Sequence, residues 1–426
     1  MRYPALMSLL LMSAGCSPLP PQDARAQMDS LAARGDTSRL ADLGRRQCKD
    51  GDADARQSCL EDYFLALASG HRVRLALGAL EQLSRGDDDV IREGHGFTHV
   101  IGIQAWKPGD DVAAVFRSCT GLFQSGCYHG VIQAYLTAEG TVDSLRAVEL
   151  CDKVAAAPED RWLRFQCVHG LGHGFEMAFA WELPTALTGC DWLPSAWDRE
   201  SCYGGAFMEN AVASQPGRHH TSARALAATV GDSAPPPPDS AKAAPTHGGH
   251  HTPDPAAITF RMRDSSDALY PCTIVGSRYL RSCYQVQGGI ILTATGHDFG
   301  KAMTQCDRVD ALHRNQCYLS LGTNASGASA QSTPKAIEFC SQGDPAYQPW
   351  CFVGVVKNFI DVTAQPEDGV KFCREVAFGE NRRQCWNAVG EQIGTLYPID
   401  PARRTSECAR VPADGVVECR RGARLP

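Results

Sequence analysis

Along most of the chain, apolar residues recur three and four positions apart in short segments separated by polar loops, which is the spacing of amphipathic helices. Met28, Leu31 and Ala32 share one stripe of a first segment at 24–35. From there a longer pattern repeats. A helix ends at a cysteine, often followed by Asp and then a β-branched residue or Leu, as in Cys151-Asp152-Lys153-Val154 and Cys306-Asp307-Arg308-Val309. A polar loop follows, commonly with Arg three positions before a second cysteine: Arg56, Arg164, Arg199, Arg314 and Arg382. That cysteine opens a second apolar segment with an aromatic residue and then often a small one, as in Tyr128 and Gly130, Tyr203 and Gly205, Phe352 and Gly354, and Trp386 and Ala388. First cysteines at 272, 306, 340, 373 and 408 make steps of 34, 34, 33 and 35 residues. A period in the thirties belongs to two-helix repeats, whose units bury their apolar faces only by stacking.

Two irregularities obey the same period. Cys48 to Cys119 is 71 residues, two units, so one unit there lacks cysteines; its first helix is expected over 73–83 and its second from near Glu93. Cys190 to Cys272 is 82 residues, or 48 more than one unit of 34. Four prolines at 235–238 and a His/Gly-rich run at 246–252 place the excess in an insertion over 214–257. Such composition buries little apolar surface and is expected to be unstructured. Helical repeats are then expected over 36–213 and 258–426, with the tail after Cys419 as an end cap. The expected fold is all-α: a right-handed α-solenoid of about ten two-helix repeats, each stapled by a local disulfide.

Cysteine usage adds the compartment. The chain has 426 residues and 19 cysteines. Cys16 stands apart, after Met1-Arg2, an apolar run at 3–12 and Ser13-Ala14-Gly15. These are the parts of an export signal, too short to span a bilayer. Ser-Ala-Gly-Cys resembles a bacterial lipobox, with Ser13 where Leu is usual. That resemblance implies a lipoprotein-type signal peptide over 1–16, lipidation of Cys16, and a tether and first helix over 17–35. The other eighteen cysteines fall into nine neighbouring pairs. In the first half these are Cys48 with Cys59, Cys119 with Cys127, Cys151 with Cys167 and Cys190 with Cys202. In the second half they are Cys272 with Cys283, Cys306 with Cys317, Cys340 with Cys351, Cys373 with Cys385 and Cys408 with Cys419. An even number at regular spacing in an exported chain reads as a disulfide framework. The absence of Cys-x-x-Cys disfavours thiolate zinc sites and thioredoxin-like chemistry. Over roughly 36–420 this period and pairing resemble the cysteine-stapled, tetratricopeptide-like helical-repeat proteins exported by some bacteria. The resemblance implies partner binding along a concave surface, without catalysis. The net charge of −7 is spread along the chain with no basic stripe, so nucleic-acid binding is not expected.

Histidine supplies the candidate chemistry. With units aligned on the second cysteine, and Glu93 in place of the missing one, His95, His129 and His169 fall two positions on. His99, Gln133 and His173 fall six positions on. Elsewhere these two columns hold Gly204 and Met208, Gln285 and Gly289, Leu319 and Thr323, Val353 and Lys357, and Asn387 and Glu391. A His pair at i, i+4 shares one helix face, and neighbouring helices lie roughly 8–10 Å apart. Five imidazoles can therefore converge on one groove and take Zn, Cu, Fe or Ni. Glu176, seven positions after His169, is a candidate sixth ligand. Against this stand Gly172 and Gly174, each unfavourable to a helix by about 1 kcal/mol relative to Ala; a loop there would separate His169 from His173. His219, His220, His247, His250 and His251 read as solvated linker able to gather metal loosely. His297-Asp298 reads as a helix end, and His71 and His313 have no distinguishing context.

No Gly-x-Ser-x-Gly, phosphate loop, dinucleotide fingerprint or His-Glu-x-x-His is present. The expected function is binding of a transition-metal ion by a lipid-anchored protein facing the periplasm or cell exterior. One alternative is a metal-free scaffold for another envelope protein. A second is a metal-dependent hydrolase with an open coordination position and Glu176 or Glu209 as general base.

Overall fold

The computed structural model describes residues 22–139, 143–157, 160–214, 225–227, 229 and 260–426. The signal-like start with Cys16 and the histidines at 219, 220, 247, 250 and 251 lie outside the described residues. Among the described residues the regular elements are helices, and no strand occurs.

A lone α1 (Gln22–Ala33) leads into hairpins α2 (Thr37–Gln47)/α3 (Ala53–Ala68), α4 (Val73–Ser84)/α5 (Asp88–Ala105) and α6 (Val112–Ser118)/α7 (Gly126–Glu139). Next come α8 (Ser144–Val154)/α9 (Arg161–Ala178) and α10 (Leu183–Asp191)/α11 (Ala196–Ala213). After the insertion, α12 (Leu280–Val286) and α13 (Gly288–Ala294) complete a unit begun at Cys272. The remaining hairpins are α14 (Phe299–Asp307)/α15 (Ala311–Ala328), α16 (Thr333–Cys340)/α17 (Gln348–Thr363), α18 (Pro366–Glu375)/α19 (Glu380–Leu396) and α20 (Pro401–Ala409)/α21 (Val416–Gly422). Many starts are set by an aspartate whose carboxylate accepts a first-turn N–H, as at Asp36, Asp52, Asp87, Asp143, Asp298 and Asp400.

All nine neighbouring cysteine pairs are disulfides, and the bridges span 8 to 16 positions. Cys48 is bonded to Cys59, Cys119 to Cys127, Cys151 to Cys167 and Cys190 to Cys202. Beyond the insertion Cys272 is bonded to Cys283, Cys306 to Cys317, Cys340 to Cys351, Cys373 to Cys385 and Cys408 to Cys419. The unit expected to lack cysteines is the α4/α5 hairpin, which has no bridge.

The recurring Arg and aromatic positions close the stapled loops. Arg199 donates to the carbonyls of Leu193 and Pro194, Arg314 to Val309, and Arg382 to Val376 and Arg374. Tyr318 Oη donates to Asp307 at 2.7 Å, and Tyr203 to Asp191, each tying the second cysteine's neighbour to the first's. Arg164 grips Asp198 of the next unit through Nε and Nη2 at 3.0 and 2.8 Å.

The second helices pack one on the next: α5 on α7, α7 on α9, α9 on α11. The stack continues across the insertion, because α11 meets α12 directly and Tyr279 Oη donates to Asp191 at 2.8 Å. It also turns back on itself. The N–H groups of Phe123 and Gln124, just before α7, donate to the carbonyls of Val362 and Asp361 at the end of α17 (3.1 and 3.0 Å).

Within the insertion, Ala225 and Leu226 are fully buried; they begin a short apolar run in a stretch otherwise rich in Pro, His and Gly. The alternative of a loop at Gly172–Gly174 is replaced by helix, since α9 runs unbroken through both. Its neighbour α11 explains why. A Cβ on Gly172 would lie 2.0 Å from the Cys202 carbonyl oxygen, and one on Gly205 2.0 Å from that of His169. Glycine is what lets the α9 and α11 backbones meet, and tertiary contact outweighs weak local propensity.

Candidate metal centre

These close contacts also fix which residues of neighbouring units are equivalent. A Cβ on Gly205 or Gly354 would strike the carbonyl two positions after the preceding unit's second cysteine, at His169 and Leu319. A Cβ on Gly130 would strike His99 in the same way, at 2.2 Å. His99 therefore occupies the position of His169, and Phe97, 2 % exposed, stands where the missing cysteine would. The alignment on Glu93 is one helical turn out. A four-residue slip keeps every apolar residue on the same helix face, so the hydrophobic pattern cannot reveal it once the cysteine is absent. The true column is His99, His129 and His169, with His95 one turn before and His173 one turn after.

α5, α7 and α9 bring the five rings together. His129 is central: its ring centroid lies 5.8 and 5.4 Å from those of His95 and His99, and 4.8 and 4.9 Å from those of His169 and His173. His99, His129, His169 and His173 are buried, and His95 is half-buried.

Backbone and side-chain oxygens set the tautomers. A carbonyl only accepts, so His95 donates Nδ1–H to Phe123 (2.8 Å) and His169 donates Nδ1–H to Ser201 (3.0 Å). His99 donates Nδ1–H to Gln133 Oε1 at 2.9 Å, and His173 donates to Glu209 Oε2 at 2.8 Å. Gln133 Nε2 in turn donates to that same Glu209 oxygen at 3.3 Å. Four histidines thus keep an unprotonated Nε2, and the partner on the far nitrogen fixes each ring, as is usual around metal sites. The consequence is sharpest at His95 and His99. Their Nε2 atoms face each other at 3.1 Å, lone pair to lone pair. Ligands of one ion at about 2.0–2.1 Å, with angles between about 90° and 109°, stand about 2.9–3.4 Å apart.

The other end of the cluster shows the same excess of acceptors. Among the described residues, His173 Nε2 and His129 Nδ1 are buried without a hydrogen-bond partner. His129 Nε2 is 3.2 Å from Gln166 Oε1. Leaving such a group unpaired costs about 1–3 kcal/mol, so the arrangement does not serve the stability of the ion-free fold. Two sets of three have ligand atoms within 4.8 Å of one another: His95, His99 and His129, and His129, His169 and His173.

No protein-family model, curated protein or solved structure matches this chain.

Burial holds all five imidazoles below their ordinary range, His99 to about 3 and His169 to about 4, with charge repulsion between rings adding at His99, His129 and His173. At neutral pH they are uncharged, the ligating form. Burial also pushes Glu209 up to about 8, and Glu176 well above the usual carboxylate range with the charges of Glu209 and Glu182 adding.

Glu176 lies fully buried one turn below His173 on α9, and both its oxygens lack a partner among the described residues. It belongs to neither set of three; only histidines do. Glu209 touches the cluster through His173 Nδ1, as an orienting partner rather than a ligand. The sequence does not mark Gln133, Gln166, Ser201 or Phe123 as partners of these rings, because the first three reach across from neighbouring helices and Phe123 from the turn before α7. His297 and Asp298 end one hairpin and start the next: His297 has a φ of 60° and Asp298 caps α14. His313 packs on the Tyr284 ring at 6.1 Å, and His71 is exposed in the turn before α4.

Proposed function

We propose that this protein binds a transition-metal ion in the interior of a stacked helical-repeat array, through imidazoles from three successive units. The observation that carries the reading is the 3.1 Å approach of His95 Nε2 to His99 Nε2, with both Nδ1–H groups committed elsewhere. A cation between them removes the lone-pair repulsion. Borderline ions with an affinity for imidazole, zinc and copper foremost, suit an all-nitrogen donor set. A metal-free scaffold leaves the facing lone pairs unexplained. A hydrolase would need an open position and a base at the histidine sets, whereas Glu209 is engaged by His173 and Glu176 belongs to neither set.

Metal analysis of the protein purified without a His tag tests this. Stoichiometric zinc or copper is expected, lost in a His99→Ala/His129→Ala/His173→Ala variant that keeps its helical circular dichroism. A protein that neither carries metal nor takes it up after dialysis against zinc or copper would sink the proposal.

The wider setting is an exported protein held at a membrane by lipid on Cys16. Nine disulfides fit an oxidising compartment, and no described helix is long and apolar enough to cross a membrane. Cys16→Ala is expected to move the protein from the membrane fraction to the soluble fraction. Retention with membranes would place the anchor elsewhere.

A further inference from the structure

The metal-binding reading above leaves open how many ions the cluster holds, and the division of its nitrogens addresses that. One ion can take only ligand atoms that converge on a single point. The five histidines divide into two overlapping sets, each with its ligand atoms within 4.8 Å, and His129 is the member common to both. Each set also carries its own unsatisfied acceptors. At one end the Nε2 atoms of His95 and His99 face each other at 3.1 Å. At the other, His173 Nε2 has no partner among the described residues, and neither does His129 Nδ1. One ion at either end leaves the excess at the other end unrelieved.

We propose that the cluster is a two-position metal centre. His95 Nε2, His99 Nε2 and His129 hold one ion. His129, His169 Nε2 and His173 Nε2 hold the second. A single lone pair serves one ion, so His129 serves two through its two ring nitrogens. Nδ1 is already free, and Nε2 has the contact to Gln166 to give up. With both ions bound, the Nε2 proton of His129 leaves to water and the ring bridges as imidazolate. The ligands are imidazoles throughout, with no carboxylate or thiolate in either set. The occupants are therefore borderline-soft ions, zinc(II) or copper(I), rather than magnesium or calcium.

The test uses the full chain, untagged, with disulfides intact and metal removed by chelator. It is dialysed to equilibrium against zinc in one arm and, without oxygen, against copper(I) in the other; bound metal is counted per chain. Two ions per chain in at least one arm are expected. His95→Ala and His173→Ala should each bind one ion, and His129→Ala should weaken both positions by more than about tenfold, all with unchanged circular dichroism. Should His173→Ala fail to fold, His169→Ala tests the same position. One ion per chain in both arms overturns the two-position centre and leaves the metal-binding reading standing. No ion in either arm overturns both. Loss of both ions in His95→Ala, with the fold intact, would overturn the division of ligands.

Discussion

Reduction of the nine disulfides is expected to unfold the protein at room temperature. Each bridge closes a loop of 8 to 16 positions, which removes roughly 2–3 kcal/mol of unfolded-chain freedom in the entropy model. Even at half that value per bridge, nine together reach the whole net stability of an ordinary domain, about 5–15 kcal/mol. The staples also sit where the repeats need them. Each ties the two arms of a repeat together beside the loop, and the cysteines are fully buried in most units. Circular dichroism should show cooperative melting in the oxidised protein. With a phosphine reductant present, the helical signal at about 25 °C should be lost. The same melting temperature in both conditions would show that helix packing alone holds the array.

Alanine in place of Gly172 and in place of Gly96 should give opposite results. Gly172→Ala adds a Cβ that would lie 2.0 Å from the Cys202 oxygen and 2.6 Å from the Ala206 nitrogen, both backbone. No rotamer change relieves that contact, so α9 and α11 must separate. The expected loss is about 2 kcal/mol or more, net of the roughly 1 kcal/mol that Ala contributes to an exposed helix position. Gly96, beside His95, has no atom within 4 Å of an added Cβ. Gly96→Ala should be neutral or stabilising by up to about 1 kcal/mol. Urea unfolding midpoints compare the two. Separation of α9 from α11 would also draw His169 and His173 away from Ser201 and Glu209, so Gly172→Ala should weaken metal binding too. A midpoint for Gly172→Ala at or above that of the unsubstituted protein would show that the helices are not held at contact distance.

Gly172 also shows why the sequence is readable only in part. Its cost to an isolated helix is a local property and is visible; the Cys202 carbonyl that makes it necessary belongs to the next unit and is not. The helix-loop-helix period and the bridged pairs are legible, because cysteine spacing marks every unit that has them. From Cys151 with Cys167 to Cys408 with Cys419, each second cysteine finds the first one nearest to it in the chain. In the unit without cysteines the marker is gone, and an alignment on Glu93 slips by one turn. That slip moves His95 and His99 along the face without turning them off it, so the same five histidines emerge as candidates. Their orienting partners depend on packing between units. So does the contact of Phe123 and Gln124 with α17, where three successive non-glycine residues, Phe123, Gln124 and Ser125, have φ between 47° and 65°. Such a left-handed run is unfavourable for residues with a Cβ, and nothing in the local sequence announces it. It places the Phe123 carbonyl on His95 Nδ1.

X-ray absorption at the metal edge of the loaded, untagged protein shows which atoms hold the ion. The expected first shell is nitrogen at about 2.0–2.1 Å, with the outer-shell scattering of imidazole rings and no sulfur. A sulfur shell at about 2.3 Å, or an oxygen shell without ring scattering, would mean that the buried histidines are not what holds the ion.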